Sequence, residues 1–185
     1  MAVDPKKLAI GGCVVYVADW AANGGATGWT DVGLTEAGSE LTDKSENALI
    51  GDGDQVPCAQ RAYPSTDEVE IKIVMKEADL AKLVWALQQP AANLTGTAPN
   101  QTLLRGARTE QYKAIKLETA GNQGPTLVAA TRTITAHRCY IKSRDGFQYG
   151  LKDKSQMYGV TLGVLWDATV TTEDKLYKIV DSGGA

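Results

Sequence analysis

The sequence predicts a mainly β protein, an antiparallel β-sandwich or barrel with one flanking α-helix and one long extended loop. Three observations lead there. Short β-branched or alternating apolar runs recur along the chain. Only one stretch carries a helical period. The 19 glycines gather mostly between the apolar runs, where turns need them. With 185 residues the chain can bury one real core and is short for two, so residues 1–185 are read as a single domain.

Cys13 to Ala18 (CVVYVA) is a β-branched run bounded by glycines and reads as a buried strand. Residues 23–28 (NGGATG) form a turn, and Trp29 to Leu34 a second short strand. A polar stretch follows from Thr35 to Gln55, with an apolar island at Ala48-Leu49-Ile50. Compact domains rarely carry ~20 residues of idle loop. The stretch is therefore either a hairpin that leaves the body or a segment that orders on meeting a partner.

Glu68 to Met75 (EVEIKIVM) alternates, with Val69, Ile71, Ile73 and Met75 on one face. It runs into the one clear helix, placed over residues 76–89. There Leu80, Leu83, Val84 and Leu87 fall at i, i+3, i+4 and i+7 and form the core face. Trp85 widens it. Glu77 and Asp79 suit the first turn, and Pro90 supplies the stop.

A second long loop spans residues 90–109. Beyond it the pattern is a β-meander: Gln111 to Glu118, a turn at 121–125, then Thr131 to Lys142. Asp145-Gly146 suits a hairpin tip, with Phe147 to Leu151 returning. In Met157 to Trp166, Tyr158, Val160, Leu162, Val164 and Trp166 share a bulky face, and Gly159, Thr161 and Gly163 a small one. The small face suits either close approach of another sheet, a smooth channel wall, or a solvated side of an ordinary strand. Lys175 to Val180 is the last strand.

The composition excludes several function classes. A formal net charge of −3 gives no general attraction to nucleic acid. Cys13, Cys58 and Cys139 are odd in number and lack CxxC spacing, which argues for reduced thiols rather than a disulfide framework or a zinc site. The polar start lacks a signal segment, and no run approaches the ~18–20 apolar residues of a membrane span, so a cytoplasmic origin without a membrane role is expected.

No catalytic constellation emerges. His137 is the only histidine and has no nucleophile motif around it. Asp52-Gly53-Asp54 lacks the later ligands of a calcium loop. Gly24 to Gly28 lacks the Lys-Ser/Thr pair of a phosphate cradle. Glu36, Glu40, Asp43 and Glu46 read as a solvated charge run rather than as a paired catalytic carboxylate set. No enzyme activity, cofactor or metal is expected.

The order of features resembles the bacteriophage tail tube (major tail) proteins: an N-terminal strand and Gly/Trp segment, a long acidic loop, then a strand running straight into a helix (EVEIKIVMKEADLAKLVWAL). The resemblance covers most of the chain in order. It implies rings, typically hexameric, whose sheets join into an inner barrel and which stack into a tube that conducts DNA into the host. The loop, here about residues 33–63, would reach neighbouring subunits through Glu36, Glu40, Asp43, Glu46, Leu49 and Ile50. Its acidic charge would also suit a channel along which DNA slides. Implied partners are further copies of the chain, a tape measure, a tail terminator and a baseplate or tip. Viral DNA would pass without sequence-specific binding. Assembly would occur in the host cytoplasm and the product would reside in the virion tail. A head-tail completion or decoration protein, or a secretion tube, is the alternative on the same fold. Deletion of residues 36–50 is expected to leave a folded monomer that cannot polymerise.

Overall fold

The computed structural model describes residues 7–10, 13–33, 35, 39–50, 61–76, 80–98, 100–108, 110–119, 131–149 and 156–182. The strands are β1 (Lys7–Ile10), β2 (Cys13–Asp19), β3 (Thr30–Asp31), β4 (Ser39–Ile50), β5 (Arg61–Met75), β6 (Leu94–Thr97), β7 (Asn100–Leu103), β8 (Lys113–Thr119), β9 (Thr131–Tyr149), β10 (Gln156–Val164) and β11 (Tyr177–Ser182). The α-helix among the described residues is α1 (Leu80–Ala86). The protein is mainly antiparallel β with one helix, the class its sequence predicts.

Nine strands form one sheet in the order β1-β4-β5-β10-β9-β8-β2-β3, with β11 paired to β9; β6 and β7 form a separate small hairpin. Inward residues alternate along each main strand. Val69, Ile71, Ile73 and Met75 of β5 are at most 1% exposed, and their register partners Val164, Leu162, Val160 and Tyr158 of β10 are also buried. Each such side chain contributes about 1.5–3 kcal/mol on burial. Leu41 of β4 and Val15 and Val17 of β2 lie far apart in the strand order yet share one core. The sheet therefore curls around its own apolar face. An isolated bridge between Thr35 and Met75 ties the β3–β4 connection to the end of β5.

The helix is shorter than its period suggested. Gln88 adopts φ 53, and the amides of Gln88 and Gln89 donate to the carbonyls of Trp85 and Val84, each at 2.9 Å. This left-handed cap closes the last turn before Pro90 can act. Leu83, Trp85 and Ala86 are buried, and Leu80 and Leu87 pack against the core. Val84, expected in the stripe, is only half-buried, because Trp85 and Ala86 take the flanks of the buried face. Glu77 and Asp79 lie outside the described residues.

Three further expectations change. Asp145-Gly146 is no hairpin tip, since β9 runs through it. Gly159 pairs with Gly146 and Val160 with Arg144, which leaves Asp145 as an extra residue in a bulge, with Gly146 at φ 77. A glycine-centred bulge and a tight turn both need a positive φ, so the dipeptide alone does not separate them. Trp166 leaves the bulky face of β10 and is 59% exposed, with the Lys175 ammonium over its ring. The strand ends at Val164, after which the Leu165 amide turns to the Arg138 carbonyl. The loop over 90–109 contains the β6–β7 hairpin, whose polar Thr, Asn and Gln residues gave no strand pattern.

Candidate assembly surfaces

Strand β5 pairs with β10 only over Val69–Met75, while it pairs with β4 all the way out to Arg61. Strand β1 covers β4 only from Ser39 to Thr42. From Lys44↔Glu68 to Ile50↔Arg61 no third strand among the described residues pairs with either of them. Seven residues of strand make an arm about 23 Å long. A shift between Glu46↔Thr66 and Asn47↔Pro64 leaves Ser65 as an extra residue. Pro64 has no N–H to give the ladder, and a bulge is where a strand tolerates it. A two-stranded ribbon is marginal by itself in water, and further strands or packing stabilise it.

The expected acidic loop thus divides. Glu46, Leu49 and Ile50 lie on the arm. Glu40 and Asp43 lie at its root, on the part of β4 that belongs to the body, and Glu36 is outside the described residues. Glu40 is half-buried and stands opposite Lys72. Asp43 accepts a 2.8 Å hydrogen bond from the Tyr177 hydroxyl of β11. Burial, and then this carboxylate, push the Tyr177 phenol up to about 12. Deleting residues 36–50 would remove a body strand together with buried Leu41 (3% exposed), so that deletion is not a clean test of the arm.

The small face of β10 is no open floor. A β-carbon at Gly163 would run into the ring of Tyr140, and one at Gly159 into the side chain of Asp145. Long side chains from β5 and β9 meet over this trough. Lys142 bonds Glu68 and Glu70, and Lys72 stands 4.0 Å from Asp145. The glycines make room for the chain's own cross-strand partners, which favours the ordinary-strand alternative for this face.

Open edges are present elsewhere. On β9, pairing with β8 ends at Cys139, and no strand among the described residues covers that edge from Tyr140 to Tyr149. Among the described residues strand β11 pairs only with β9, and Ile179 and Val180 are 47% and 43% exposed. An uncovered edge with exposed apolar side chains is a template for pairing with another chain.

The polar interior serves architecture. His137 is 8% exposed, with Nε2 3.4 Å from the Asp174 carboxylate, its one side-chain partner among the described residues. Its neighbour Arg138 lies 4.0 Å from the Tyr112 ring centre and 5.2 Å from that of Trp20. The Trp20 indole donates to Asp167, which is fully buried and also accepts from the amide and hydroxyl of Thr169. This lock, which composition did not reveal, ties β2 and β9 to the segment before β11. A cavity of about 350 Å³ between α1 and β2 carries both charge signs, and Lys113 there is paired with Asp19. Cys13 and Cys139 are free buried thiols, while Cys58 lies outside the described residues. Among the described residues no cluster of three His, Cys, Asp or Glu side chains could hold a metal, and no helix is long and apolar enough to cross a membrane.

No family model matches the chain, and no curated protein matches it.

Proposed function

We propose that this chain is a structural subunit of the tail-tube kind. Copies close into rings, stack into a hollow tube in the virion tail, and provide the passage for viral DNA. The tail terminator, tape measure and baseplate or tip would meet the ends and the lumen of that tube.

The observation that carries this reading is the β4–β5 arm. Seven residue pairs continue beyond the rest of the sheet with no third strand paired to them among the described residues. A ribbon of that kind gains most of its stability from a partner. The uncovered edges of β9 and β11 support the same conclusion, because ring closure pairs edges that a monomer leaves open. The order of features along the chain, from N-terminal strand through acidic loop to strand-helix unit, points to tubes among the assemblies such a fold can build.

The test truncates only the arm. Replacing residues 47–65 by Asn-Gly joins the register partners Glu46 and Thr66 through a two-residue turn. Sedimentation velocity should show large assemblies for the intact chain and a monomer for the truncated one, with cooperative thermal unfolding kept in the truncated chain. An intact chain that stays monomeric, or a truncated chain that assembles equally well, would refute the proposal.

A further inference from the structure

The cleft at the C-terminal end of α1 concentrates positive charge on a chain whose net charge is −3. Arg105, Arg108, Lys142 and Arg144 line a cavity of about 370 Å³ floored by Tyr158 and Leu87, and no carboxylate among the described residues lines it. The four cations differ in how they are answered. Lys142 reaches away to Glu68 and Glu70 on the outer face. Arg144 is held by neutral acceptors, through Nε to the Ala86 carbonyl and Nη2 to Gln88 Oε1, both at 2.7 Å. Arg105 and Arg108 are exposed, and among the described residues neither brings an acidic partner into the cleft.

The cleft is also pre-formed. Gln89 is 1% exposed, and its Oε1 accepts from the Gly106 amide at 2.8 Å and from Asn93 Nδ2 at 3.1 Å. The Leu104 amide donates to the Asn93 carbonyl at 2.9 Å. Arg105 thus stands between two pinned residues. Arg144 is oriented by the helix end it caps. The burial of Arg144 and the charges of Arg108 and Arg105 all disfavour its ionised form, a cost that an anion would offset.

We infer that Arg105, Arg108 and Arg144 form a phosphate-binding site in this cleft. Three guanidiniums around one concavity offer more N–H donors than a two-oxygen carboxylate can accept. A phosphate group presents three or more oxygens and up to two charges, and matches the planar fork of arginine. The source is either a compact phosphate compound or the backbone of a nucleic acid, and the chemistry at the cleft is the same.

Isothermal titration calorimetry at low salt tests this with inorganic pyrophosphate, a short DNA duplex, and glutarate as a carboxylate control. The expected result is saturable binding of pyrophosphate or duplex that the Arg105→Ala/Arg108→Ala variant weakens by about a hundredfold. Both side chains are exposed, so the variant should melt like the parent. Lys175→Ala, near the other end of β9, should bind as the parent does. Pyrophosphate bound at one per chain identifies a compact ligand. Binding of duplex alone, with the same loss in the double variant, identifies a nucleic-acid backbone. No saturable binding, equal binding by the double variant, or tighter binding of glutarate would overturn the inference. The readout is anion binding per chain rather than particle size, so its failure and that of the tube proposal are distinguishable.

Discussion

Tyr140 and Gly163 face each other across the β9–β10 pair, and the tyrosine occupies the space a β-carbon would need. Its Cζ and hydroxyl oxygen lie 2.7 and 2.8 Å from that position. Gly163→Ala should therefore destabilise the protein by about 1–3 kcal/mol. In a Tyr140→Ala background the same change should cost less, with a coupling of about 1 kcal/mol in a urea-denaturation cycle. Additive costs would mean that the ring does not hold this place.

Asp167 should govern part of the acid stability. Burial pushes its carboxyl up, but hydrogen bonds from Thr169 and Trp20, with Arg138 nearby, more than offset this and hold it below the ordinary range. A carboxyl depressed in the folded state contributes stability that is complete above the unfolded value of about 3.9. That contribution is lost as pH falls through the folded value. Asp167→Asn should cost about 1–3 kcal/mol at neutral pH and flatten the acid limb of the stability profile. The measurement is urea unfolding followed by tryptophan fluorescence from pH 2 to 7. An unchanged acid limb would remove Asp167 from this role.

The Tyr177–Asp43 bond should hold the root of the arm. The phenol is pushed up to about 12 by burial and then by the Asp43 carboxylate. A raised value means full stabilisation below the unfolded value of about 10 and loss as pH rises through 12. Burial also raises Tyr158, so ultraviolet difference titration should show late-ionising tyrosines, and Tyr177→Phe should remove one of them. The variant should also lose about 1–3 kcal/mol, because Asp43 keeps its desolvation without its donor. Exchange of the amides of β4 near Asp43 should quicken.

Much of the fold was legible because period-two alternation reports burial directly. Val69 to Met75 and Tyr158 to Val164 are the clearest cases. The strand-to-helix unit was legible for the same reason, although the helix end depends on Gln88 entering the left-handed region, which glutamine does not advertise. The arm was legible only as one of two readings of the polar stretch, a hairpin leaving the body or a segment that orders on a partner, because residues 35–55 carry no sustained apolar alternation to fix a register. The glycine trough stayed open between several readings because the residues that fill it, Tyr140 and Asp145, sit on the neighbouring strand. The arginine cleft could not be foreseen, because Arg105 and Arg144 are brought together only by the fold.

Negative-stain electron microscopy of the purified chain tests the central claim most directly. Self-assembly through the arm and the open edges should give closed rings with a central hole, stacked end to end into tubes of uniform diameter. A field of isolated small particles at concentrations where assembly subunits polymerise, or aggregates without rings, would contradict it.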